Sequence, residues 1–300
     1  MDGTNLDAIA GPDGRFAVLA MDQRNTLRRM LDGVGQPSAD ADLSAFKVDI
    51  VRALAPLSTA VLLDADYGVG PVRSAGALPP DVGLLVAAEP PVRAQWNGEP
   101  RTAIDPERRA AYVVQNGGDA LKFLVQWRPG RPRNPGEPDL AAEALSVIGE
   151  VVEDSREAGI PSVIEPLVAR LPDEPLLAAA AAGELVIQSA TLMAGERPDL
   201  LKLEWPGGAE GCRRVSEALG SVPWTLLSAG VAFEEFAERV RIALDNGASG
   251  FIAGRAIWGE AVRFTGEARV AFLEATAVPR LAALCELLAQ HGRSWREAAA

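Results

Sequence analysis

This chain is poor in the side chains most often used to handle protons and metals. Its 300 residues include one histidine, His291, placed in a polar C-terminal stretch. A zinc site built on several histidines is thereby excluded, and a serine–histidine triad has no suitably placed histidine. Acid–base work falls to carboxylates, lysine or tyrosine, and no metal or cofactor is expected. Two cysteines, Cys212 and Cys285, give no disulfide framework and fit a reducing compartment. No apolar run approaches the roughly 20 residues of a membrane span. The opening Met1-Asp-Gly-Thr-Asn5 has neither a basic n-region nor an apolar h-region, so a cytoplasmic protein is expected, with no membrane partner. The net charge of -12 argues against a nucleic-acid surface. It still permits a small anionic substrate, because a few arginines can be locally positive on an acidic protein.

Lysine is the other scarcity. Three lysines stand against 26 arginines. Two of the three lie inside apolar, strand-like runs: Lys122 in Ala120-Leu-Lys-Phe-Leu-Val125 and Lys202 in Leu200-Leu-Lys-Leu-Glu-Trp205. A charged ammonium in a buried strand is costly unless it is paired or neutral. Arginine does not lose its proton; a desolvated lysine does, and is then a nucleophilic amine. The pattern points at chemistry that requires an amine.

Eight short apolar runs alternate with longer helix-like stretches. The candidate strands are Phe16–Asp22, Ala60–Asp64, Gly83–Ala88, Ala120–Val125, Pro161–Pro166, Leu200–Glu204, Val222–Ser228 and Gly250–Gly254. Each is near-continuously apolar, as a strand covered on both faces should be. The spacing leaves room for a helix in each gap. Leu140–Ala158 stops at Gly159 and Phe233–Asn246 stops at Gly247, each just before the next strand. Eight such units with right-handed crossovers predict a TIM (β/α)8 barrel, one domain over residues 1–300. An open doubly wound sheet would need a G-x-G-x-x-G turn after an early strand, and none is present. Arg128–Asp139 reads as a loop, and Ala268–Ala300 as a C-terminal helical tail, either one final helix or two parted near Pro279, with a polar end.

Such barrels carry their active sites at the C-terminal ends of the strands. There the chain places Asp22, Gln23 and Arg24 after the first run, Asp64 and Asp66 after the second, Trp127 and Arg128 after the fourth, Glu165 ending the fifth and Glu204 after Lys202 on the sixth. Lys202 alternates with Leu201 and Leu203, so it points to the opposite side of its strand from them. It is either a structural lysine paired to a carboxylate or an imine-forming amine, with Lys122 as a neighbouring cation favouring its neutral form. Glu165 suits proton transfer or an ion pair; Asp22 suits either, or a helix cap. Asp64 also reads as a cap. Ser228-Ala-Gly230 and Gly254-Arg255 follow the last two strands, where many barrels hold a phosphate on backbone N–H groups.

These stretches together resemble a known family. Phe16-Ala-Val-Leu-Ala-Met-Asp-Gln-Arg24, Val61-Leu-Leu-Asp64 with Tyr67-Gly68, Ala120-Leu-Lys-Phe-Leu-Val125, Val163-Ile-Glu-Pro166, Leu201-Lys-Leu-Glu204, Leu227-Ser-Ala-Gly-Val231 and Ala253-Gly-Arg-Ala-Ile-Trp258 occur in order. The chain resembles the class I tagatose-1,6-bisphosphate aldolases, a family that includes the sulfofructosephosphate aldolases, from Phe16 to about Arg280. The resemblance implies cleavage of a ketose phosphate to dihydroxyacetone phosphate and an aldehyde. It puts the Schiff-base lysine at Lys202, the general acid–base at Glu165, and the supporting pair at Asp22 and Lys122. It places the donor phosphate on Ser228, Gly230, Gly254 and Arg255. From the residues themselves, Gln23, Arg24, Asp64 and Arg128 are further candidate substrate contacts, and Arg24, Arg73 and Arg128 suit a sulfonate or a second phosphate equally well. The resemblance also implies a homo-oligomer.

Within that family, Asp64-Ala-Asp-Tyr-Gly68 is closer to the tagatose-bisphosphate enzymes. Phe123-Leu-Val-Gln-Trp-Arg128 and Ala248–Trp258 are closer to the sulfofructosephosphate enzymes, so a sulfosugar is the expected substrate, with tagatose 1,6-bisphosphate as the alternative. Two readings from other classes compete: a non-catalytic barrel that senses a sugar phosphate, and an aldolase with a pyruvate donor. The intact lysines and carboxylates oppose the first, and the apparent phosphate loops oppose the second.

Overall fold

The structure, a computed structural model, describes residues 5–298. Eight parallel strands close into a barrel: β1 Phe16–Met21, β2 Ala60–Leu63, β3 Gly83–Ala87, β4 Ala120–Trp127, β5 Ser162–Val168, β6 Leu200–Leu203, β7 Trp224–Leu227 and β8 Gly250–Ala253. Each strand pairs with its neighbours in chain order, and β8 pairs back onto β1. This is the TIM barrel that the alternation of apolar runs predicts. The strands are buried nearly throughout, because helices cover them outside and side chains fill them inside.

Period-two alternation divides the strand residues between these two environments. Phe16, Val18, Ala20, Leu62, Leu85, Ala87, Ala120, Val163, Leu200 and Ile252 form the inner cluster. Ala17, Leu19, Val61, Leu84, Leu121, Ile164, Leu201 and Phe251 face outward into the larger cluster shared with the helices. Leu6 and Ile9 join the inner cluster from below, and Trp295 packs against it, so the N-terminal mouth of the barrel is filled by apolar side chains. The C-terminal mouth is where inward positions turn polar.

Helices Asp40–Leu54, Gly70–Ser74, Ala110–Gln115, Leu140–Glu157, Ala179–Ala194, Ala209–Leu219, Phe233–Asp245 and Val278–His291 ring the barrel. The last of these lies between Phe233–Asp245 and Asp40–Leu54, and buries Leu281, Leu284 and Leu288. Most of the expected C-terminal tail is therefore the eighth barrel helix. The expected parting near Pro279 is a wide helical turn over Leu273–Ala277, through which the backbone stays helical from Gly266–Phe272 into Val278–His291; Pro279 is accommodated in the first turn of the latter.

Two features depart from the expected pattern. β4 and β5 each run two residues further than their apolar cores, to Trp127 and Val168. Pro166 is tolerated inside β5 because its pairing with β6 covers only Val163 and Ile164. The second departure is a small antiparallel hairpin, Ala94–Trp96 with Glu99–Arg101, in the connection after β3. Its turn is Asn97-Gly98, both with positive φ (48° and 84°), the conformation such a dipeptide favours.

The barrel closes where Phe16 lies opposite Gly250, whose φ is 152°. A Cβ at position 250 would stand 2.0 Å from the Phe16 carbonyl oxygen, so the seam requires glycine. The Gly250→Ala substitution is expected to destabilise the protein by roughly 2–3 kcal/mol through backbone displacement. A lowered urea midpoint with unchanged slope is the readout.

Candidate active site

The polar groups at the C-terminal mouth occupy inward strand positions. Register explains how they meet. Val163 on β5 lies beside Lys122 on β4 and beside Leu200 on β6. Two residues further, Glu165 lies beside Leu124, and continuing the β5–β6 register sets it opposite Lys202. Glu165 and Lys202 thus share one layer, and Lys122 sits one layer deeper.

Glu165 Oε2 is 3.0 Å from Lys202 Nζ and 2.9 Å from Lys122 Nζ. Neither approach has the angle of a hydrogen bond; both are ion-pair contacts. Lys122 donates hydrogen bonds to Asp22 Oδ2 at 2.8 Å and to Glu89 Oε1 at 3.2 Å. Glu89 also accepts from the Leu124 N–H at 3.0 Å and from Arg24 at 3.3 Å. Three carboxylates thus surround one fully buried ammonium.

Burial alone would disfavour the charge on Lys122, but the fields of Asp22, Glu165 and Glu89 outweigh it and hold the amine above the ordinary lysine value. Burial likewise opposes ionisation of Asp22, yet Lys122, Lys202 and Lys47 hold its carboxyl well below the ordinary range. The positive field expected of Lys122 is therefore offset by its own carboxylates. Glu204, after β6, is pushed upward by burial and by Glu165, against the Val168 N–H it accepts at 2.7 Å.

A cavity of about 510 Å3 opens above this layer. Asp22, Gln23, Arg24, Glu165, Lys202 and Arg255 line it, so six of the residues singled out in the sequence converge there. Lys122 lies beneath the floor, 0% exposed, and reaches the cavity only through Asp22, Glu89 and Glu165. Ser228 is buried at the end of β7. Gly230, with φ 81°, lines an adjoining hollow of about 360 Å3 that shares Arg255 with the cavity. The Arg255 guanidinium lies against Gly230, where a Cβ would come within 3.2 Å of it. Ala229 between them also has positive φ (48°), which costs a non-glycine residue roughly 1–2 kcal/mol. Gly254 has a packing role: a Cβ there would meet the Ala20 carbonyl at 2.2 Å and the Trp258 indole nitrogen at 2.9 Å.

Two expected substrate contacts lie elsewhere, and so does one expected anion-binding arginine: Arg73 donates to the Asn116 and Gly117 carbonyls at 2.8 and 2.9 Å, off the cavity. Asp64 is 0% exposed and off the cavity. It accepts from Lys47 at 2.6 Å and caps the following turn through the Tyr67 N–H at 2.7 Å. Arg128, just past the end of β4, is off the cavity too, held by Glu174 through two bonds of 2.8 and 2.6 Å. The aspartate and the arginine were each captured by a partner from a flanking segment, which strand ends alone do not reveal.

Glu89, Arg93 and Gln126 line the cavity and were missed. Glu89 and Gln126 were legible: continuing the alternation Leu85, Ala87 reaches Glu89, and Lys122, Leu124 reaches Gln126. Lys47 was missed as well. Its amine, fully buried, donates to Met21 O at 2.7 Å, Gln23 O at 2.8 Å and Asp64. Burial lowers its pKa against the field of Asp64. It fixes the backbone that carries Asp22, Gln23 and Arg24.

Lys47→Met would leave Asp64 charged, buried and unpaired, at a cost of about 3–5 kcal/mol. Adding Asp64→Asn, which keeps the acceptor for Tyr67, is expected to recover part of that loss in urea denaturation. The Asp22–Lys122 pair also sets a pH dependence. A depressed carboxyl contributes stability above its ordinary value of 3.8 and loses that contribution as pH falls through its folded value. A raised lysine contributes below 10.5 and loses the contribution as pH rises through its folded value. The stability gap between wild type and Asp22→Asn should accordingly be widest from about pH 5 to 9 and shrink on both sides, measured by denaturation at each pH.

Among the described residues, no helix is long and apolar enough to cross a membrane. The DeoC/LacD family aldolase model matches residues 16–260. A tagatose 1,6-diphosphate aldolase of Listeria monocytogenes (strain HCC23) is 29% identical over 87% of this chain and 82% of its own. Tagatose 1,6-diphosphate aldolase 2 of Enterococcus faecalis (strain V583) is 25% identical over 97% of this chain and 94% of its own. The fold is shared with a solved archaeal fructose-1,6-bisphosphate aldolase whose catalytic Lys is covalently bound to the carbinolamine intermediate; the TM-score is 0.62 at 18% identity, over 93% of this chain and 96% of that one. With the barrel, the buried lysine–glutamate pair and a family match over most of its length, the chain belongs to the DeoC/LacD family of aldolases, which are carbon–carbon lyases.

Proposed function

We propose that Lys202 forms an imine with the ketone of a ketose 1,6-bisphosphate, and that tagatose 1,6-bisphosphate is cleaved to dihydroxyacetone phosphate and glyceraldehyde 3-phosphate. The observation that carries this reading is the cavity-lining amine of Lys202, 4% exposed, 3.0 Å from Glu165. The names of the curated relatives favour the tagatose substrate over the sulfosugar suggested by Phe123–Arg128 and Ala248–Trp258, which becomes the second reading.

The chemistry follows from the pairings. Lys202 gives up a proton to Glu165 or solvent and attacks the ketone carbon. Glu165, the carboxylate nearest that nitrogen, donates a proton as water leaves, giving a protonated imine. The imine accepts the electron pair of the C3–C4 bond once the C4 hydroxyl loses its proton. Asp22 is held ionised by lysines, which makes it a weak base and a fixed negative charge opposite the developing cation. Glu165, which lines the cavity beside Lys202, then takes that proton, and the same carboxyl returns it to the enamine before hydrolysis. Lys122 keeps Asp22, Glu89 and Glu165 together despite their mutual repulsion. The strained Ser228-Ala229-Gly230 loop and Arg255 suit the donor phosphate, since small residues let an anion approach the backbone.

Borohydride added with dihydroxyacetone phosphate should reduce the imine and leave a stable adduct, located on Lys202 by peptide mapping. Lys202→Ala should lose the adduct and lower cleavage more than about a thousandfold. An adduct on another residue, or full activity in Lys202→Ala, would overturn the assignment. Comparing kcat/KM for tagatose bisphosphate, fructose bisphosphate and sulfofructose phosphate decides the substrate.

A further inference from the structure

Charge pairing distinguishes the arginines around the cavity. Arg24 is neutralised, 3.2 Å from Asp66 and 3.3 Å from Glu89. Among the described residues, Arg29, Arg93 and Arg255 line the cavity with no carboxylate at ion-pair distance; Arg29 is tied to Thr26 of its own helix at 3.2 Å, which leaves Arg93 and Arg255 as the guanidiniums without a side-chain hydrogen bond. They stand on different walls. Arg255 follows β8, two strands from the Lys202 strand in one direction around the barrel; Arg93 follows β3, three strands away in the other. A ketose 1,6-bisphosphate has the matching asymmetry: one anion on the carbon next to the ketone, the other four carbons away.

The backbone on either side of Arg93 is anchored, while its side chain is exposed. Pro90 and Pro91 precede it and fix their φ angles. The hairpin Ala94–Trp96 and Glu99–Arg101 follows it. Arg131 grips the hairpin through Glu99 at 2.6 and 2.7 Å and lies over the Trp96 ring at 5.2 Å. Arg101 ties it to Glu143 at 2.8 and 3.0 Å. Gln95, on the first hairpin strand, lines the same wall as Arg93. A guanidinium on an anchored backbone offers two parallel donors, and only its side chain has to be ordered on binding.

We propose that Arg93, with Gln95 beside it, binds the distal anion of the substrate and so determines preference for bis-anionic ketose phosphates over those with an uncharged far end. This deepens the aldolase reading and rests on it. Arg255 and the β7 loop take the near anion, the ketone lies at Lys202, and the chain of the sugar runs across the mouth toward β3.

The test compares a ketohexose 1,6-bisphosphate with the same ketose 1-phosphate. In Arg93→Gln the ratio of kcat/KM between the two is expected to fall roughly 10- to 100-fold, mainly through KM of the bisphosphate, and Arg93→Lys is expected to recover part of it. Equal losses on both substrates would mark a structural role and overturn the assignment, as would an unchanged ratio. Failure of the parent reading is separable: wild type that gives no borohydride adduct with dihydroxyacetone phosphate rejects the imine whatever Arg93 does. An adduct in a variant that keeps its full bisphosphate preference rejects only the role of Arg93.

Discussion

One carboxylate oxygen, Glu165 Oε2, stands between two lysine amines, 2.9 Å from Lys122 and 3.0 Å from Lys202. The layer above the apolar barrel core depends on that contact. Two ammonium groups on nearby strands would repel each other in a region too dry to screen them. The intervening carboxylate makes their coexistence possible and leaves Lys202 at the edge of the cavity, beside a group able to accept a proton. Lys122 in turn lets three carboxylates crowd together, which they would otherwise do only by taking up protons.

The scarcity of lysine acquires a structural meaning from this arrangement. All three lysines are buried: Lys47 and Lys122 fully, Lys202 nearly so. Each meets a carboxylate, and each does a different job. Lys47 fixes the end of β1, Lys122 gathers the carboxylates, and Lys202 faces the cavity. The arginines form the surface pairs, such as Arg241 with Glu238 and Asp245, where an exposed contact contributes little. Flexible amines are kept where their compactness and their exchangeable proton matter.

The same division of labour separates the parts of the site that were readable from those that were not. Lys202, Glu165 and Asp22 stood out because a charge inside an apolar run has few explanations. Glu89 and Gln126 carried the same signal two residues beyond the runs that drew attention, and stopping at Ala88 and Val125 hid them. The hairpin had its own mark in Asn97-Gly98, overlooked because the strands on either side are three residues long. Asp64 and Arg128 misled for a different reason. Their positions at strand ends are right, but Lys47 arrives from a helix and Glu174 from the loop after β5, and each removes its partner from the cavity.

The order of apolar runs, their length and their helical spacers determined the barrel, since a strand buried on both faces must be apolar and a parallel neighbour must be reached through a crossover. The residue types at the strand ends determined that an amine and carboxylates would gather at one mouth. What only the closed barrel decided was which of them touch. Stagger between neighbouring strands puts Glu165 level with Lys202 and drops Lys122 a layer below. That offset depends on how eight strands tilt to meet their own beginning, a property of the whole ring that no single segment contains.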